Sequence, residues 1–313
     1  MKSIFNARGE LTLYLGQALR RVAPLGLLAA FALLAACGDP ALTLTHVHGL
    51  AFSPDGQRLS IPSHHGLAVY SEGRWRKAAG PEHDYMGYTV TRQAIYSSGH
   101  PAPGSDLANP LGLIKSSDDG RSWQPLGLQG EADFHLLASG FDSATLYLYS
   151  AQANSRMSAP GLYSSRDDGA TWRRAAAQGV SEVPSALAVH PRDGRIVAVT
   201  TAAGLYLSRD GGQRFQPLSQ GEQVLSAAFS LDGNSLWFGS YGRAAALSRL
   251  DLQTREVTAL GVPELNDDAV AYLAQNPAKP QEWAMATFKR DVYLSPDAGT
   301  TWRAIAKAGQ PQE

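Results

Sequence analysis

The chain has 313 residues, 44% of them hydrophobic, enough to bury a large core. Lys+Arg 27 against Asp+Glu 28 leaves a net charge of -1, which offers no basic surface for a nucleic acid. A single cysteine, Cys37, excludes internal disulfides.

Residues 1–36 differ in kind from the rest. Arg20-Arg21 precede an apolar run over residues 25–34, too short for a mature membrane span and of signal-peptide proportions. The run leads into Leu34-Ala35-Ala36-Cys37, the pattern of a bacterial lipobox. That pattern predicts a lipoprotein signal peptide over 1–36, cleavage before Cys37, and lipid on the cysteine, with 37–44 as a short tether. The membrane is then a partner, and the chain belongs to the cell envelope. Gly38 stands where an inner-membrane retention signal has Asp, so the periplasmic leaflet of an outer membrane is favoured over the inner membrane, with extracellular display as the alternative. The arginine pair lacks the flanking residues of a twin-arginine export signal.

From residue 45 the sequence reads as short β runs separated by Gly, Pro, Asn and Asp, with no amphipathic helix. Candidate innermost strands begin near Val47, Tyr85, Phe134, Ser185, Leu225 and Val270, and small residues dominate them, as expected where strands crowd around an axis. An octapeptide, S-x-D-x-G-x-[ST]-W, recurs at 116–123, 165–172 and 295–302, with a weaker copy at 208–215 that ends in Phe215. Its aspartates, Asp118, Asp167, Asp210 and Asp297, can accept from backbone N–H groups further along. Its glycines, Gly120, Gly169, Gly212 and Gly299, supply the positive φ of a turn, and Trp123, Trp172 and Trp302 open the return strand. These aspartates are read as scaffold rather than as catalytic groups.

The octapeptide is the Asp-box, and the chain resembles Asp-box (BNR-repeat) β-propellers. The resemblance implies an all-β fold of four-stranded blades with the boxes in the turns between third and fourth strands. Six units fit residues 45–306, leaving 307–313 as a tail; seven is the alternative count if the N-terminal strand joins the last sheet. In such a propeller, crossings between blades and turns between second and third strands share the face opposite the boxes. Seven of the eight histidines fall there, on the first three blades. His46 and His48 enter blade one, His83 enters blade two and His135 enters blade three. His64, His65 and His100 occupy the turns between second and third strands, and only His190 maps to the other face.

Imidazoles beside carboxylates suit a divalent transition metal such as zinc, copper or nickel. His46, His48, His83 and His135 are candidate metal ligands, with Asp84 and Asp133 as ligands or orienters; the alternative is that each histidine bonds loop backbone. His64, His65 and His100, with Arg156, Arg243 and Arg290 from turns of blades three, five and six, are candidate contacts for a small polar, anionic or glycan ligand.

Much of the chain after Cys37 resembles bacterial BNR-repeat lipoproteins of the uncharacterised glycosylhydrolase-like, sialidase-like group, notably across Gly99-His100-Pro101 and Leu113-Ile114-Lys115-Ser116-Ser117-Asp118. That resemblance makes an exo-glycosidase the leading alternative to a binding protein, with Asp84, Asp133 and Tyr241 as candidate catalytic residues. The arginine element a sialidase carries near its first blade is absent, since Arg58 maps to the wrong face. A third expectation is a membrane-complex assembly scaffold, as in the similar propellers that help to build photosystem II.

Overall fold

The computed structural model describes residues 42–312; the signal-peptide segment and Cys37 lie outside the described residues. Six antiparallel sheets follow one another along the chain, each with its strands in sequence order. Five have four strands and the last has five. No helix among the described residues is long and apolar enough to cross a membrane.

The core explains the ring. Second strands such as Val197–Thr201 and Trp283–Thr287 are buried along their whole length, because each sheet is covered on both faces by its neighbours. Six apolar clusters lie between successive sheets. One joins Leu59 and Ile61 of blade one to Val292 and Ile305 of blade six, which closes the circle. Another stacks Trp237 of blade five on Trp283 of blade six at 3.8 Å between ring centroids.

Closure involves both ends of the described chain. The last sheet runs past residue 306: the strand Arg303–Lys307 continues to Lys307, and Gln310–Pro311 adds a fifth strand beside it. Leu44 N–H donates to Gly309 O at 2.8 Å, so the N-terminal segment leans on the edge of blade six without founding a seventh sheet. Six is therefore the blade count.

The octapeptides occupy the turns between third and fourth strands of blades two, three, four and six. In the blade-three copy, Ser165 Oγ accepts from Gly169 N–H at 2.9 Å and donates to Asp167 at 2.7 Å. Asp167 in turn accepts from the Thr171 N–H and hydroxyl at 2.9 and 2.6 Å. The Thr171 hydroxyl bond is the main reason the Asp167 carboxyl is pulled down to about 2. Asp168 and Gly169 both take positive φ, 56° and 77°, which tightens the loop enough for this network. Asp210 and Asp297 accept in the same way from the Arg214 and Thr301 N–H groups. These carboxylates are taken up by donors of their own turns.

The repeat glycines do more than the turn role assigned to them on sequence. Gly120, Gly169, Gly212 and Gly299 all have positive φ, yet all four are also buried, not exposed as tips of surface turns. Each is pressed against the preceding blade. A Cβ would lie 2.6 Å from Leu67 Cδ1 of blade one at Gly120, and 2.6 Å from Leu113 Cδ2 of blade two at Gly169. At Gly212 it would lie 2.9 Å from Ala175 Cβ of blade three, and at Gly299 3.0 Å from the Trp237 ring of blade five. The glycine therefore answers to packing between blades as well as to backbone conformation, a requirement no spacing within the octapeptide reveals.

Candidate functional site

The face opposite the octapeptides carries the entry to each blade, and the axial cavity, about 260 Å³, is lined by the innermost strands with His48 and His135 in its wall. His46 and His48 sit on the extended segment that leads into Ala51–Phe52. His64 sits in the tight turn between Leu59–Ser63 and Gly66–Ser71. His48 N–H donates to Pro62 O at 3.2 Å, which holds the entry segment beside that turn.

The three rings converge. His46 and His64 lie edge to face with centroids 4.2 Å apart, and His48 and His64 do the same at 4.9 Å. One ring nitrogen from each of His46, His48 and His64 lies within 4.8 Å of the other two, so the group could hold a metal ion. Asp84, first residue of the strand Asp84–Val90, engages His64 Nδ1 through Oδ2 at 2.7 Å. That contact leaves His64 Nε2 as the free nitrogen. Burial, reinforced by the neighbouring His64 imidazole, drives His48 down to about 4, so its imidazole is neutral at ordinary pH.

A second group adjoins on the entry to blade three. Asp133 Oδ2 faces His135 Nε2 at 2.8 Å and His100 Nε2 at 3.3 Å. His100 Nδ1 is 2.7 Å from Asn109 Oδ1. The Asp133 carboxylate holds His135 above the ordinary imidazole value, because the hydrogen bond outweighs partial burial.

Several buried polar atoms here have no hydrogen-bond partner among the described residues: Thr45 Oγ1, His48 Nε2, Asp84 Oδ1 and Asp133 Oδ1. Only two others of that kind are found among the described residues, the indole nitrogens of Trp123 and Trp172. Orphaned buried polar atoms are costly and therefore uncommon, and four of six gather at one mouth.

The other candidates are placed differently. His83 is buried, and its Nδ1 accepts the Ala102 N–H at 2.9 Å, so it anchors the loop after His100 rather than joining the triad. His65 is exposed beside His64. His190 accepts the Arg192 and Asp193 N–H groups in the turn between the first two strands of blade four. Arg156 donates to the carbonyls of Leu126 and Gly169 at 3.2 and 2.6 Å, and Arg290 donates to Thr45 O at 3.0 Å, so both guanidinium groups are engaged by backbone rather than free for an anion. Arg243 is exposed with no bonded partner among the described residues, and Tyr241 ends a strand of the same blade. Sequence placed His64 at this face but assigned it to a polar ligand; its contact with His46 and His48 depends on a turn doubling back that spacing alone does not specify.

The described chain is thus a six-bladed β-propeller whose axial mouth is edged by histidines and carboxylates. No protein-family model and no curated protein sequence matches it. Solved structures do. A GH74 enzyme from Niastella koreensis aligns with TM-score 0.60 at 16% identity, over 86% of this chain and 46% of that one. YCF48 bound to a D1 peptide aligns with TM-score 0.50 at 18% identity, over 85% and 82% of the two chains. Hydrazine synthase of Kuenenia stuttgartiensis aligns with TM-score 0.52 at 11% identity, over 83% and 79%. This chain spans less than half the length of the GH74 enzyme. At these identities the likeness is one of fold.

Proposed function

We propose that this chain is an exported, lipid-anchored propeller that binds a divalent transition metal through His46, His48 and His64. The observation that carries the reading is the meeting of three imidazole nitrogens within 4.8 Å, one of them the buried and unpartnered His48 Nε2. Neutral imidazoles suit zinc, copper and nickel, and three protein ligands leave a coordination position open for water or a small ligand. Asp84 plays the orienting part that a carboxylate behind a metal-bound histidine plays elsewhere, fixing the tautomer of His64. Lipid on Cys37 would tether the chain to the envelope.

Elemental analysis of the full chain, purified without chelators or a histidine tag, tests the proposal. Near-stoichiometric zinc, copper or nickel, lost in a His48→Ala/His64→Ala double variant, is the expected result. A metal-free protein that also takes up none of the three ions overturns it.

A second reading is a glycoside hydrolase at the same mouth. It is favoured by two carboxylates, Asp84 and Asp133, each with one oxygen on a histidine and the other buried and unpaired. Turnover of aryl glycosides, abolished in Asp84→Asn and Asp133→Asn, would establish it.

A further inference from the structure

Leu44 and Thr45 are held by Gly309 and Arg290, in the loops of blade six on the same face as the histidines. The turn that supplies Arg290 also carries Phe288, 60% exposed and part of the wall of the axial cavity. Four large hydrophobic side chains are exposed among the described residues: Leu107, Val183, Val257 and Phe288. Three of them stand on the histidine face. Leu107 is in the long loop after Ile95–His100, Val183 in the crossing before Ala186–Val189, and Phe288 in the turn after Trp283–Thr287. They mark blades two, four and six, every second position around the ring.

Three apolar side chains standing singly around one face do not make a patch by themselves, but held at a bilayer by a short anchor they can enter its headgroup region. The length of chain outside the described residues selects that occupant. Cys37 is five residues before Leu42, and five extended residues reach at most about 18 Å. A propeller tethered so closely at its histidine face keeps that point of attachment near the bilayer.

We infer that the histidine face docks on the membrane that anchors the chain, with Leu107, Val183 and Phe288 entering the headgroup region. The metal mouth then opens onto the lipid surface, and its ligand is one presented at that surface rather than in free solution. This inference rests on the proposed lipidation of Cys37.

The test uses the full chain, lipidated and reconstituted into phosphatidylethanolamine–phosphatidylglycerol vesicles, with one environment-sensitive fluorophore on an introduced cysteine. Val183→Cys and Phe288→Cys report from the histidine face, and Arg166→Cys, in an octapeptide turn, from the opposite one. Lipids bearing a quencher just below the headgroups are expected to remove most of the signal at 183 and 288 and little at 166. Vesicle-bound protein quenched equally at all three positions, or at none, overturns the docking and leaves the anchor standing. A chain that stays in the aqueous fraction, with Cys37 open to thiol labelling, overturns the anchor and the docking together.

Discussion

Asp84 Oδ2 lies 2.7 Å from His64 Nδ1, and the contact joins the first residue of an inner strand of blade two to a turn of blade one. The interface between the blades thereby sets the direction in which His64 presents its other nitrogen. Asp84→Asn keeps the shape but removes the charge and lets the amide choose either tautomer. Metal affinity is expected to fall about 10–100-fold, the usual effect of losing the partner behind a ligand. Competition titration with a chromophoric chelator measures it, and an unchanged affinity would separate Asp84 from the metal.

The depressed His48 makes an acid-side prediction for the metal-free protein. Folded His48 stays neutral down to about 4, whereas in the unfolded chain it protonates near 6.5. Between those values the unfolded state holds more protons, so this contribution to stability is complete above about pH 6.5 and declines as pH falls towards 4. Urea midpoints between pH 7 and 4 should show that decline in the native chain and a shallower one in His48→Gln. Parallel curves for the two proteins would refute the assignment.

Further into acid, the octapeptide carboxylates take over. Asp118 and Asp167 are both held near 2, chiefly by hydroxyl donors from Ser122 and Thr171, so their contribution is complete above about pH 3.8 and is lost as pH falls through 2. Asp167→Asn should shrink this second phase without touching the one assigned to His48. Acid unfolding followed by tryptophan fluorescence distinguishes the two.

The buried Ser165 hydroxyl ties Gly169 N–H to Asp167, and nothing else reaches that amide. Ser165→Ala orphans a buried donor and should cost about 1–3 kcal/mol. Thr171→Ala removes only an exposed hydroxyl contact and should cost less. Chemical denaturation of the two variants gives the comparison; a larger loss for Thr171→Ala would place the weight of the turn elsewhere.

Gly87 N–H donates to Phe134 O at 3.0 Å, and that carbonyl stands where a Cβ on residue 87 would go. The crossing pressed against it carries Asp133 and His135. Gly87→Ala must displace the crossing, with an overpacking cost of about 1–3 kcal/mol. The variant should also disturb the Asp133–His135 pair, which the histidine ring resonances would report. A variant with native stability and native resonances would show that the crossing has room to move.

The sequence by itself determined the scaffold. The octapeptide is a local device: Ser, Asp and Gly at fixed offsets make the Ser–Asp–Gly bonds that shape the turn within eight residues, so the third-to-fourth turns could be read directly. Alternation of faces along a propeller then put the histidines on the side away from those turns. Only the tertiary structure decided what each turn presses on and which histidines meet. Gly120, Gly212 and Gly299 read as turn glycines, and their burial against Leu67, Ala175 and Trp237 of the preceding blades lies outside the octapeptide altogether. The sequence put His83 among the candidate metal ligands and His64 among the polar-ligand contacts, yet His64 is drawn to Asp84 beside His46 and His48 and His83 is taken up by the Ala102 N–H. Arg156 and Arg290 look like free cations in their loops, and backbone carbonyls of neighbouring segments engage both. The physical reason is range: turn chemistry is settled within a few residues, whereas ring orientation at the mouth depends on how adjacent blades press together.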